Sequence, residues 1–115
     1  MSQFISLTQG VEMTTLFRQD KENVMAAPYK DQNILPKCET FDRGNFDALL
    51  ANDNCKFIRI YYGMDADLKV HAIIVAADSD GADILPSPSG PIGAFIVEEG
   101  MRCPSDCPPP SALNS

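Results

Sequence analysis

Four cysteines are the residues of this chain best suited to chemistry, and two of them lie close together near the C-terminus. Three residues separate Cys103 from Cys107, and a proline follows each of them. Proline fixes φ and removes a backbone donor, so this segment is predicted to be extended and non-helical, with both sulfurs presented to the surroundings. Such sulfurs could ligate a metal, form a disulfide or contact a partner.

A zinc site is one interpretation, because four thiolates complete a closed tetrahedral site. The spacing fits poorly, since zinc is usually held by tight knuckles and sixteen residues separate Cys38 from Cys55. These two cysteines are expected near the same end of the domain, which keeps a site with Cys103 and Cys107 possible. Two thiolates completed by His71 or a carboxylate form a lesser alternative. The competing interpretation makes Cys38 and Cys55 small buried hydrophobic residues.

A disulfide between Cys103 and Cys107 is the second interpretation. In an extended chain their Cα atoms would lie about 13 Å apart, beyond bridging range, but a turn over residues 104–106 would bring them within it. A thioredoxin-type role is not indicated, because that motif has two intervening residues. The two Cys-Pro dipeptides also resemble thiolate haem ligands, although the motif is short. A cysteine nucleophile is the least favoured interpretation, because no lowering of a thiol pKa is visible in the sequence.

His71 is the only histidine, and its apolar neighbours place it in a strand. A lone strand histidine is more often structural than a general base, and no nucleophile motif accompanies it. The carboxylate pairs, Asp65 with Asp67 and Asp78 with Asp80, are predicted to shape turns at opposite ends of a hairpin. We therefore expect no catalytic residue and no shared carboxylate metal site.

The charge balance excludes several classes of partner. Nine basic and sixteen acidic residues give a net charge of −7, which disfavours binding to nucleic acid and to anionic membranes. No apolar run approaches the roughly 20 residues of a membrane helix. The N-terminus lacks the pattern of a secretory signal, so a cytoplasmic location with reduced thiols is expected.

Two helices are predicted. Ser6 and Gln9 have the spacing of a capping box, and the apolar positions that follow predict an amphipathic helix over residues 7–20. The second helix is expected to follow Asp42 as its N-cap. Its start is further marked by Phe41, which can pack on Phe46 as a hydrophobic staple. The predicted buried stripe of this second helix is Phe46, Leu49 and Leu50.

Residues 55–62 and 68–77 carry the β-branched and aromatic composition of strands. The short acidic linker predicts an antiparallel hairpin, because a parallel return needs a crossover of about a dozen residues. Residues 92–97 are predicted to form a third strand. Both faces of 55–62 carry large apolar groups, which indicates that one face meets something besides the helices, such as another subunit.

These elements predict an α+β fold, with two helices packed on one face of a small three-stranded antiparallel sheet. Residues 1–100 are expected to form a single domain and residues 101–115 a Cys/Pro-rich tail. The predicted core consists of Val11, Phe17, Phe46, Leu49, Ile58, Ile60 and Ile74.

Three segments resemble a group of short bacterial proteins of unknown function. They are ILPKCETFDRGNFDALLA, IRIYYGMDADLKVHAIIV and RCPSDCPPPSALN, at residues 34–51, 58–75 and 102–114. The resemblance covers most of residues 33–115. It implies the same fold and a shared use for the tail, and it brings no activity, substrate or catalytic residue.

The sequence thus predicts a non-enzymatic interaction or assembly domain that binds a protein partner, or a second copy, through its tail. A run of prolines is stiff and loses little entropy on binding. The predicted partner-binding residues are Cys103, Pro104, Cys107, Pro108, Pro109 and Pro110. No cofactor is expected, and zinc is the alternative. Deleting residues 101–115 is expected to remove the interaction and leave the thermal midpoint nearly unchanged.

Overall fold

The structure is a computed structural model that describes residues 3–87 and 93–115. In chain order its elements are α1 (Leu7–Asp20), a 3-10 helix (Ala27–Tyr29), β1 (Cys38–Thr40), α2 (Arg43–Leu50), β2 (Phe57–Met64), β3 (Val70–Ala77), β4 (Asp83–Ile84) and β5 (Met101–Cys103). One sheet has the order β2-β3-β4, and β1 pairs with β5 in a second sheet. The predicted α+β class is confirmed. No helix in the described part of the chain is long and apolar enough to cross a membrane.

The chain divides into two compact units. One consists of Met1–Glu39 with Met101–Ser115, and we call it the terminal unit. The other, Thr40–Gly100, is the central unit. The C-terminal residues therefore share a unit with α1.

Helix α1 has the bounds that its capping signal predicts. The Gln9 N–H donates to Ser6 Oγ at 3.1 Å, and the Ser6 N–H donates to Gln9 Oε1 at 3.0 Å. These reciprocal bonds satisfy two backbone donors that the first helical turn leaves without a partner.

The apolar side of α1 is only partly covered by other residues. No residue of α1 is buried, and Phe17 keeps 38% of its surface exposed. Phe17 lines an open apolar groove of about 550 Å³ together with Leu16, Val24 and Leu35. The prediction that Val11 and Phe17 belong to the core is therefore wrong. Periodicity identified the helix but not how completely its apolar side is covered.

Helix α2 begins after Asp42, as predicted, although the Asp42 side chain makes no capping bond. The rings of Phe41 and Phe46 lie 6.0 Å apart at a tilt of 59°, which is the contact that the staple pattern indicates. Leu49 is buried at the centre of the unit, but Leu50 is exposed, so the prediction for Leu50 is wrong.

The central sheet contains the predicted antiparallel hairpin. Its register runs from Phe57 opposite Ala77 to Met64 opposite Val70. Both strands begin two residues later than predicted, and Gly63 lies inside β2 instead of ending it.

The third strand is not the predicted one. β4 (Asp83–Ile84) pairs with β3, whereas residues 93–97 contribute only a bridge between Val97 and Ile74. The backbone groups of these two residues exchange hydrogen bonds of 2.8 and 2.9 Å. Residue 92 of the predicted strand lies outside the described residues. The short β4 was missed because two residues after a turn give no strand periodicity.

The core of the central unit lies between α2 and the β3–β4 side of its sheet. The buried members are Leu49, Ile74, Ala76, Ile84 and Val97, with Phe41, Phe46, Cys55 and Ala94 packed against them. The predictions for Leu49 and Ile74 are confirmed, and Phe46 is partly buried. Ile58 and Ile60 are exposed, so their placement in the core is wrong. The packing of α1 on this sheet stays a prediction.

Candidate functional site

A disulfide joins Cys103 to Cys107 within the C-terminal segment, residues 101–115. Their Cα atoms lie 4.5 Å apart, because the intervening residues turn as the disulfide interpretation required. The Asp106 N–H closes this turn by donating to the Arg102 carbonyl at 2.8 Å. The segment therefore carries a small closed loop.

The beginning of the segment is part of the fold. β5 pairs with β1, and the Cys103 carbonyl accepts from the Lys37 N–H at 2.8 Å. The Arg102 guanidinium donates to the Asn33 and Ile34 carbonyls at 3.0 and 3.1 Å. Cys103 itself is only 2% exposed. These contacts fix residues 101–103 within the terminal unit.

The end of the segment is held as well. Arg18 of α1 donates to the Leu113 carbonyl, and to the Ser115 carbonyl at 2.9 Å. The Leu113 side chain lies against Gly10, since a Cβ built on that glycine would lie 3.6 Å from Leu113 Cδ2. The Ser111 N–H donates to Asn114 Oδ1 at 2.9 Å and fixes the last turn.

Between these two attachments the chain is open to solvent. Cys107 and the three prolines after it are exposed, whereas Pro104 is half-buried and Cys103 is buried. The residues predicted to bind a partner therefore divide into a hidden part that attaches the segment and an exposed part, Cys107–Pro110. Only the exposed part can meet another molecule directly.

The four-cysteine zinc interpretation gains no support from this geometry. A sulfur in a disulfide is not a thiolate, so Cys103 and Cys107 cannot serve as ligands in this form. Cys38 and Cys55 are free and half-buried, so the competing interpretation, that both are buried hydrophobic residues, holds only in part: Cys55 packs against the core. Within residues 3–87 and 93–115, no three His, Cys, Asp or Glu side chains form a group that could hold a metal ion. Zinc binding by the reduced chain stays a prediction.

A second candidate site surrounds His71 in the central unit. Its Nε2 lies 2.7 Å from Asp65 Oδ2, and its Nδ1 lies 3.1 Å from Glu98 Oε1. Nδ1 is buried and, among the described atoms, has no hydrogen-bond partner, although Glu98 Oε1 is close to it. These side chains line a cavity of about 410 Å³ with Gly63 and Glu99.

This cavity has acid–base groups but no nucleophile. The hydrogen bond from His71, reinforced by the backbone N–H of Lys69, lowers the pKa of Asp65. No Ser, Thr or Cys is among the described residues that line the cavity. The arrangement therefore orders the end of the hairpin without completing a nucleophilic pair. Sequence reasoning missed it because Glu98 lies far from His71 along the chain.

The acidic turns are as predicted at both ends of the hairpin. Asp65 Oδ1 accepts from the N–H groups of Asp67 and Lys69 at 2.9 and 3.0 Å. Asp78 Oδ1 accepts from those of Asp80 and Ala82, both at 2.9 Å. These carboxylates act on the backbone of their own turns.

An ion-pair cluster crosses the other face of the sheet. Asp83 on β4 accepts hydrogen bonds from the Tyr61 hydroxyl and the Arg59 guanidinium of β2, both at 2.5 Å. The Tyr61 bond and then the Arg59 bond lower the pKa of Asp83, and the Asp83 bond raises the pKa of Tyr61. The cluster links the two outer strands across β3. Only the strand order brings these residues together, so no local sequence pattern predicts the cluster.

No protein-family model, curated protein or solved structure matches the chain. The resemblance to the bacterial group stays a prediction. Function therefore has to be inferred from the contacts described above.

Proposed function

We propose that this chain is a non-enzymatic protein-interaction domain and that the exposed part of its C-terminal segment, Cys107–Pro110, contacts the partner. One observation carries the proposal: the segment is fixed at both ends while its prolines stay exposed. β5 and the disulfide hold one end, and Arg18 holds the other.

Attachment at both ends favours binding because a segment that is ordered beforehand loses less conformational entropy in a complex. Ordering a flexible side chain on binding costs about 0.5–1.5 kcal/mol, and proline has almost no side-chain entropy to lose. Pro108, Pro109 and Pro110 also fix their own φ angles. A partner therefore meets a segment whose backbone is already restricted.

The composition of the segment indicates what the partner offers. Beyond Cys103, Asp106 is the only charged side chain in the segment. Proline-rich segments are recognised by grooves lined with aromatic side chains. We therefore expect contact through apolar surface, with an affinity that changes little with salt concentration.

The experiment compares two baits made from the full chain. One is the wild type, and the other carries Pro108→Ala, Pro109→Ala and Pro110→Ala together. A Pro86→Ala variant is the matched control, since Pro86 is exposed but belongs to the central unit. Deleting residues 101–115 is not a clean test, because it would remove β5 and the carbonyls that Arg18 binds.

We expect at least one protein from an extract of the source cells to be retained about tenfold less by the triple variant than by the wild type and the control. The thermal midpoints of the three chains should agree, because exposed surface substitutions usually change stability by about 0.5 kcal/mol or less. Identical retained proteins on all three baits, with all three folded, would overturn the proposal.

A further inference from the structure

β2 forms one edge of the central sheet. Among the residues that the structure describes, it pairs with β3 on one side and with no strand on the other. An edge strand carries a row of N–H and C=O groups ready to pair with another chain. β2 spans Phe57–Met64, which is long for an unprotected edge.

The backbone hydrogen bonds show which groups face outward. Ile74 of β3 exchanges both of its hydrogen bonds with Val97, so its backbone groups point away from β2. Because these directions alternate along an antiparallel strand, the odd-numbered residues of β2 bond to β3. The N–H and C=O groups of Ile58, Ile60 and Tyr62 are then directed away from the sheet.

The same three residues continue the core face of the sheet. Ile58 lies opposite Ala76 and Ile60 opposite Ile74, and residues opposite each other share a face. Ala76 and Ile74 are buried in the α2 core, whereas Ile60 is 51% and Tyr62 80% exposed. The hydrophobic face is thus covered over β3 and uncovered over β2.

Little protects this edge against pairing. Natural edges are commonly blocked by proline or by free charges. Phe57–Met64 contains no proline, and Arg59 is its one charged residue. The Arg59 guanidinium is already bound to Asp83.

From these observations we infer that β2 pairs antiparallel with β2 of a second copy of the chain, about a two-fold axis at Ile60. Such an interface is isologous, because each copy contributes the same outward-facing groups. The pairing joins the two central sheets and brings the uncovered apolar residues of both copies side by side. The inference involves no residue of the C-terminal segment and does not depend on the proposed function.

Charge argues for a second copy as the occupant and against a register centred on Arg59. With the axis at Ile60, Arg59 faces Tyr61 of the second copy, a favourable pairing of a cation with an aromatic ring. An axis at Arg59 would instead place two guanidinium groups opposite each other, which is destabilising. In a chain of net charge −7, residues 55–64 contain no acidic residue, and the neighbouring Asp83 carboxylate is paired with Arg59 of its own copy, so two copies can meet there without an unpaired carboxylate of β2.

The exposed apolar area of β2 is that expected for a weak dimer. Ile58, Ile60, Tyr62 and Met64 are 36%, 51%, 80% and 60% exposed. At about 150–250 Å² for a large side chain, they offer roughly 450 Å² per copy. Two copies would bury on the order of 1,000 Å² with the backbone included, near the lower limit of specific interfaces. We therefore expect dimerisation that depends on protein concentration.

Sedimentation equilibrium of the full chain, at protein concentrations from about 10 μM to about 1 mM, tests the inference. Two copies joined by an interface of this size are expected to associate within this range. We expect Ile60→Lys to weaken dimerisation about tenfold or more, because it places two ammonium groups at the axis. Tyr62→Lys is a second variant, chosen because the side chain is largely exposed and its loss should be tolerated. Val24→Lys, an exposed apolar position in the terminal unit, is the control. Added salt should strengthen dimerisation by screening the repulsion between acidic copies.

Amide hydrogen exchange distinguishes strand pairing from any other contact. Protection of the Ile58, Ile60 and Tyr62 amides should rise with protein concentration, while that of the Arg59 and Tyr61 amides stays constant. A chain that stays monomeric at about 1 mM, or a dimer in which these three amides gain no protection, overturns the inference. The triple proline variant should dimerise like the wild type, so failure of either proposal can be distinguished from failure of the other.

Discussion

At the scale of single residues, the carboxylates of this acidic chain are used locally. Asp65 and Asp78 hold the turns at the two ends of the hairpin, and Asp83 ties β2 to β4. Each accepts more than one hydrogen bond, and in Asp65 and Asp83 these bonds lower the pKa of the carboxyl group. These three carboxylates therefore have structural roles.

Asp83 allows a prediction of how the stability of the fold changes as pH falls. Hydrogen bonds from Tyr61 and Arg59 lower its pKa in the folded state, so its contribution is complete above its ordinary value of about 4. That contribution disappears as pH falls through the lowered folded pKa. We expect Asp83→Asn to be destabilising at pH 7 and to differ progressively less from the wild type as pH falls towards 2.

Urea unfolding at a series of pH values measures this difference. Asp80→Asn, in the exposed turn between β3 and β4, is the control. A difference between wild type and Asp83→Asn that is the same at both ends of the pH range would contradict the assignment.

At the scale of elements, α2 contributes one fully buried side chain, Leu49, to the core. Leu49 is fully buried against β3, while its neighbour Leu50 is exposed, so the two positions form a matched pair. We expect Leu49→Ala to lower the free energy of unfolding by about 2–5 kcal/mol. Leu50→Ala should change it by about 0.5 kcal/mol or less.

Chemical denaturation of both variants checks this contrast. Equal losses at the two positions would show that α2 does not bury the face that the structure assigns to it.

The elements also show which features of the fold can be predicted from the sequence. Capping signals predict where α1 and α2 start, because these signals are local hydrogen bonds and contacts between near neighbours. Burial depends on distant parts of the chain. Ile58 and Ile60 are apolar residues of the kind found in cores, yet α2 covers this face of the sheet only over β3 and β4. For the same reason the pairing of β1 with β5 left no local pattern in the sequence.

The candidate site was predictable in part. The Cys-Pro spacing left a disulfide open as one interpretation, but the prediction of an extended segment that presents both sulfurs is wrong, because the chain turns between Cys103 and Cys107 and Cys103 is buried. The attachment of this loop by Arg102 and Arg18 was not visible, because it depends on carbonyl groups brought close by the fold. The contact between His71 and Glu98 likewise requires the position of a segment that lacks regular strand structure.

At the scale of the whole molecule, the C-terminal segment belongs to the terminal unit and is not a free arm. Because Cys103 and Cys107 are joined, two of the four cysteines should be unavailable to alkylation in denaturant without a reductant. Intact-mass spectrometry should then find two modified thiols, and peptide mapping should place them at Cys38 and Cys55. After reduction all four should react. Four reactive thiols before reduction of a freshly oxidised sample would contradict the closed loop.

The central claim is that this closed, attached loop presents its prolines to a partner. The most direct measurement is the quantity of partner retained by the wild type, by the triple proline variant and by a Cys103→Ser, Cys107→Ser double variant, all folded. We expect the triple variant to retain about a tenth of the wild-type amount and the double variant an intermediate amount, since it keeps the prolines but loses the loop closure. Equal retention by all three chains would contradict the claim.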